Sequence, residues 1–196
     1  MAPSDFATIA VTKSCRNLAD YWTGLRAERR LPLRSEIDPA AIIRLLPYVY
    51  LIEMQDAGSV LVRLAGTALR PLYGVEMTGR DMIMHAPPEH RPIRLWRYRQ
   101  AAHQPCAMYY VRRQTYESGA ADEVETLFLP LAADDATDET PAWQFIGIAA
   151  SLSGRRWVAD PAEAPLAKPH LFRFLDIGFG IPPTIVPADG TAPGSP

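Results

Sequence analysis

The stretch Leu61–Asp81, LVRLAGTALRPLYGVEMTGRD, decides how the rest of the chain is read. Its apolar, strand-like opening breaks at Gly66, and the chain then passes two further glycine-marked turns at Gly74 and Gly79. A strand that opens in this way into short helical turns predicts a sheet edge beside a cavity, and so a binding module before an enzyme. Thr67–Tyr73 has room for one or two helical turns, with Pro71 limiting their regularity and Gly74 ending them. Thr78–Asp81 reads as a turn whose Asp81 can cap another short helical segment.

Upstream, Leu18, Tyr21, Trp22 and Leu25 recur at three- and four-residue steps, which predicts a helix from Ser14, its cap, to about Arg30. Asp38-Pro39 signals a second helix, ended at Leu46 by Pro47. Tyr48–Met54 and Ser59–Ala65 read as strands joined by the turn Asp56-Ala57-Gly58. Downstream, Pro87-Pro88 close the short segment, and Ile93 and Trp96 restore a helical period from Glu89 to about Ala102. Strands follow over 106–116, Asp122–Leu131 and Trp143–Leu152, separated by Ser118-Gly119 and the acidic loop Ala132–Thr140. Five strands result, in the order two, broken helices, three. Past Trp157 the chain is rich in proline, yet Leu171, Phe172, Phe174, Leu175, Ile177 and Phe179 are too apolar for a plain linker. This segment is expected to pack on the domain or on a partner subunit.

A chain of 196 residues with 48% hydrophobic content supports one substantial core. Twenty basic against 22 acidic residues, a net charge of -2, exclude the electrostatic footprint of a nucleic-acid binder. Basic clusters at Arg26–Arg30, Arg91–Arg99 and Arg112-Arg113 read as solvated helix faces or strand ends. Two distant cysteines, Cys15 and Cys106, form no CxxC pair, and with no secretory leader they point to the cytoplasm. No apolar run reaches the roughly 20 residues of a membrane span.

The words Tyr21-Trp22, Leu25-Arg26, Leu31-Pro32, Arg34, Ile37-Asp38-Pro39 and Leu45-Leu46-Pro47 stand at the start of a longer pattern. It continues with Val62–Ala68, Tyr73-Gly74, Thr78-Gly79-Arg80 and Leu127–Leu131. Over residues 17 to 152 this pattern resembles the PAS-like family of alphaproteobacteria. The resemblance implies an α+β fold: a five-stranded antiparallel sheet with short helices on one face and an N-terminal helical extension. Together with the aperiodic N-terminus and the proline-rich C-terminal end, this reading divides the chain into a flexible N-terminus (1–13), N-terminal helices (14–47), a PAS-like core (48–157), a C-terminal packing segment (158–181) and a disordered tail (182–196). PAS modules sense small molecules, bind cofactors or mediate dimerisation and signalling contacts, so the resemblance implies a stand-alone sensory or regulatory protein. It names no cofactor. Pro71 and the apolar run 171–179 are its departures from the family pattern.

Candidate ligand-facing residues are Tyr50, Arg63, Tyr73, Arg80, Trp96, Tyr109, Phe128 and Trp143, with core packing the favoured reading of each aromatic taken singly and structural pairing the favoured reading of Arg80. Arg63, inside an apolar strand, either snorkels to the edge or reaches Glu53. Arg80 either fixes its turn or meets an anionic ligand. The N-terminal amphipathic helix, with Tyr21, Trp22 and Leu25 exposed in the monomer and Leu18 beside them, is a candidate homodimer face or docking site for a signalling partner. His85, His90, His103 and His170 have no metal-site spacing, and no nucleophile elbow, phosphate loop or dinucleotide motif is present. An enzyme using Glu53, Arg63 or His103 is the remote alternative.

Overall fold

Alternation along β1 (Val49–Met54) divides its side chains between two covered faces of one sheet, whereas the edge strand β2 (Val60–Ala65) buries Val60 and Val62 on the inner face and leaves Arg63 and Leu64 exposed. The computed structural model describes residues 9–55, 58–116, 119–137, 140–154, 157 and 168–183. After β1 and β2 come α2 (Leu69–Tyr73) and α3 (Arg91–His103), then β3 (Ala107–Thr115), β4 (Ala121–Leu131), β5 (Gln144–Ser151) and β6 (Leu171–Leu175). The strands lie in the order β2-β1-β5-β4-β3-β6, and every pair is antiparallel. The five expected strands are thus joined by a sixth, because the apolar segment after Lys168 pairs along the edge of β3, setting Phe174 opposite Met108 and Phe172 opposite Tyr110. Residues 1–8, 56–57, 118, 158–167 and 184–196, on which the N-terminal, turn and tail expectations partly fall, lie outside the described residues.

Burial on both faces runs along most of β3, β4 and β5, and takes in polar residues such as Arg112, Asp122, Glu125 and Thr126 as well as the apolar ones. The inner face packs Tyr50, Ile52, Tyr110, Phe128 and Phe145 under α2 and α3, with Leu69, Leu72, Tyr73, Trp96 and Tyr98 from the helices. The outer face packs Val49, Leu51, Leu127, Leu129, Ile146 and Ile148 under the N-terminal helix α1 (Lys13–Arg26), through Cys15, Leu18, Ala19 and Trp22. Pro130 is tolerated in β4 because it lies beyond the last β3 partner, Met108 opposite Phe128, where β4 has lost one neighbour.

Several boundaries differ from the sequence reading for local reasons. Helix α1 starts one residue before Ser14, and its cap is Thr12, whose Oγ1 accepts from the Cys15 amide at 3.2 Å. The helix expected over 38–46 is a series of turns ending in a 3₁₀ turn, Leu46–Tyr48. Asp38 uses its carboxylate locally, accepting from the Ala40 amide at 2.8 Å, and folds its own loop instead of capping a helix. Gly66 serves close approach: a Cβ there would sit 2.1 Å from the Leu46 carbonyl oxygen and 2.4 Å from the Pro47 carbonyl carbon. Gly74 ends α2 in the left-handed region at φ 71°. Asp81 closes the following turn, its Oδ1 accepting from the Ile83 amide at 2.8 Å and from Val60 at 3.1 Å.

Candidate functional site

Helix α2 is only five residues long, and it ends by presenting Tyr73 to the inner face of the sheet. There the Tyr73 hydroxyl meets two partners: it is hydrogen-bonded to the Tyr50 hydroxyl of β1, and it accepts from Arg112 Nη2 of β3 at 3.0 Å. Arg112 Nη1 donates to Gln114 Oε1, two residues along the same strand and on the same face. The guanidinium carbon lies 5.2 Å from the Tyr73 ring centre, a cation–π arrangement. Arg112 is 0% exposed, its Nε has no hydrogen-bond partner, and it makes no ion pair among the described residues. Asp122, the nearby buried acid of β4, is taken up by Ser151, Ser153 and the Trp157 indole.

Around this network the aromatic residues fill the face. Tyr50 lies 5.5 Å from Phe128, Tyr98 lies edge-on to Phe128 and Phe145, and Tyr110 stacks on Phe128. Gly147 of β5 makes room for Phe128, since a Cβ there would come 2.3 Å from its ring. Burial raises the phenols of Tyr50, Tyr98 and Tyr110, with neighbouring tyrosines adding to each shift. These hydroxyls stay protonated at neutral pH and can donate as well as accept.

Two further arginines, Arg94 and Arg97, stand one turn apart on α3 beside this face. Arg94 is 7% exposed and forms no ion pair or hydrogen bond among the described residues. Arg97 lies with its guanidinium carbon 3.9 Å from the Phe172 ring centre, and its pKa is lowered to about 10, first by burial and then by Arg94. The clusters Arg91–Arg99 and Arg112-Arg113 are therefore not simply solvated faces, because Arg94 and Arg112 point inward under a covered surface. Strand period two offered one sign: Met108, Tyr110, Arg112 and Gln114 share a face of β3.

Of the residues chosen from sequence, Tyr50, Tyr73, Trp96 and Phe128 come together on the inner face. Tyr109 lies on the opposite face, where its hydroxyl donates to Glu125 at 2.9 Å. Arg63 is exposed and paired with Glu53 at 2.8 Å. Arg80 is exposed, its backbone oxygen accepting from Val62. Trp143 packs at the margin against His103 and borders an outer recess of about 280 Å³ with Glu53 and Gln144. Leu18 and Trp22 are buried against the chain's own sheet, correcting the expectation that Trp22 is exposed, while Tyr21 and Leu25 are half-buried. An open recess of about 670 Å³ at the end of α1 is lined by Arg26, Arg29, Arg30 and Phe179, but Arg29 pairs with Glu36 and Arg26 and Arg30 donate to carbonyls. Among the described residues no cluster of His, Cys, Asp or Glu could hold a metal, and no helix is long and apolar enough to cross a membrane.

A family model described as PAS domain matches residues 11–147. No curated protein sequence matches the chain. Among solved structures, the PAS domain of a protein from Colwellia psychrerythraea is similar at 12% identity and a TM-score of 0.40, over 59% of this chain and 98% of that one. An RNA-binding light-oxygen-voltage receptor is similar at 16% identity and a TM-score of 0.41, over 63% of this chain and 36% of that one. A fungal LOV domain photoreceptor is similar at 16% identity and a TM-score of 0.40, over 76% of this chain and 99% of that one. At these low scores the family match carries the weight.

Proposed function

The chain belongs to the PAS domain family, and from that premise we propose that it is a sensory or regulatory module that binds a small molecule on the inner face of its sheet. The bound state is then relayed through protein contacts. The observation that supports this reading is Arg112: a fully buried cation, held by Tyr73 and Gln114, with its Nε left over and no acid paired to it among the described residues. A buried charge without a counter-ion is costly where only packing is at stake. It becomes useful where a ligand completes it. The phenols of Tyr50, Tyr73, Tyr98 and Tyr110 add polar groups that can orient a guest within otherwise apolar walls.

The reading extends to a cytoplasmic protein of the alphaproteobacterial PAS type that acts as a homodimer or with a signalling partner. A dimer through α1 would use Tyr21 and Leu25, since Leu18 and Trp22 face the sheet. Native mass spectrometry of protein purified without additives, followed by melting curves against a metabolite panel, tests the ligand. The expected result is a retained mass or a saturable rise in Tm for at least one compound. A bare mass together with an unresponsive Tm would discard the ligand and leave a protein-interaction module.

A further inference from the structure

Resting on the ligand-binding reading above, the geometry points to a second element of recognition: the recess between α3 and β6 receives the carboxylate group of a small organic acid, held by Arg94 and Arg97. The recess has a volume of about 20 Å³ and is lined by Arg94, Arg97, Tyr98, Met108, Tyr110 and Phe172, with Pro169 at its side. Its base is buried, comprising Arg94, Tyr98, Met108 and Tyr110, whereas Arg97, Pro169 and Phe172 are partly exposed and form its rim. Two cations therefore converge on one space, with no carboxylate of the described chain to answer either.

Arrangement favours a planar anion. Arg94 and Arg97 are three residues apart on α3, so their side chains leave the same side of the helix, and a guanidinium fork matches the two oxygens of a carboxylate. Phe172 fixes Arg97 by lying flat under it, and is itself held edge-on by Phe174, with ring centres 4.9 Å apart. The recess is small, about 20 Å³, and its rim is partly exposed, so it admits a compact head group and leaves the rest of a ligand outside. A carboxylate head fits this space with its organic tail leaving over the Phe172 rim. A tetrahedral phosphate, with five heavy atoms to the carboxylate's three, demands more room. The depressed pKa of Arg97 agrees with this geometry, since burial and the neighbouring Arg94 charge are both relieved by an anion. Because Phe172 belongs to β6, which is held in the sheet only by β3, occupancy of the recess bears directly on the strand that closes the domain.

Calorimetric titration of the full chain with acetate, benzoate and inorganic phosphate at fixed ionic strength tests the assignment. Acetate or benzoate is expected to bind saturably and phosphate not to. Arg97→Gln is expected to weaken carboxylate binding by about tenfold or more, and Arg97→Lys, which keeps charge but loses the fork, by less. Arg97 is at the rim and has no ion pair among the described residues, so both variants should fold, and circular dichroism checks that they do. Absence of carboxylate binding, equal binding of phosphate, or unchanged affinity in both variants overturns the assignment. A co-purified molecule retained at full occupancy by Arg97→Gln also overturns it, while leaving the broader sensory reading intact.

Discussion

Glu125 and Arg112 stand on neighbouring strands of the same sheet, each 0% exposed, one beneath α1 and the other beneath α2. The acid is fully answered. Its two oxygens accept from the Val11 amide at 2.6 Å, the Thr12 amide at 2.9 Å and the Tyr109 hydroxyl at 2.9 Å, so it ties the start of α1 to the sheet. Its charge also sits where a helix N-terminus favours an anion. The cation is answered only in part, by one phenol and one amide, with Nε left over. Equal burial with unequal satisfaction separates a face built for cohesion from a face that keeps polar capacity in reserve.

Alkali provides the largest perturbation. Burial holds Tyr50 and Tyr98 well above their usual 10, and pushes Cys106 up to about 12 from an ordinary 9.0, all three on the inner face. The folded state therefore keeps protons that the unfolded chain releases. This stability is fully present below pH 9 and is lost as pH climbs from there toward 12. Tyrosinate absorbance should rise together with the loss of circular dichroism. Titration of Tyr50 or Tyr98 at the ordinary value in a folded protein would show that the inner face is open to water.

On the outer face, Trp22→Ala removes a fully buried ring and its indole donor to the Pro130 carbonyl, 2.8 Å away. A loss of about 3–5 kcal/mol in chemical denaturation is expected. Glu125→Ala strands two amides and a phenol, and should cost about 3 kcal/mol. If it cost nothing, the contrast with Arg112 would collapse. Gly147→Ala probes the packing of the inner face, because the new methyl meets the Phe128 ring, and a loss of about 1–3 kcal/mol is expected. Smallest of all is Arg112→Met, whose stability should stay within about 1 kcal/mol of the parent, since burying the cation already carries a desolvation cost. Its readout is ligand affinity, which should fall. A large loss of stability would instead make Arg112 the structural counterpart of Glu125.

Much of the fold was legible before any coordinates. Glycine-marked turns at Gly74 and Gly79, the alternating strands and the apolar stripe of α1 announce their elements because each depends on local periodicity and backbone freedom. The candidate site was legible by halves. Tyr50, Tyr73, Trp96 and Phe128 were found because large aromatics beside glycine-broken segments are usually interior. Tyr109 fell on the other face because its neighbours Tyr110 and Met108 are equally apolar, and composition alone does not say which of two alternating sets faces the helices. Arg94, Arg97 and Arg112 escaped notice because an arginine run reads as solvated until a covering layer is known.

The stretch Leu61–Asp81 by itself determined a strand, a break and a set of short turns, and with its neighbours it determined the family. That information is local, carried by φ preferences, side-chain period and steric room at Gly66. Tertiary structure decided which surfaces are buried: α1 takes the outer face and Trp22 with it, β6 closes the edge beside β3, and three arginines end under aromatic cover. Period assigns residues to a common face, but only contacts between segments distant in sequence decide whether that face meets water or another layer. The same burial that makes an unpaired cation costly therefore becomes visible only when the layers are assembled.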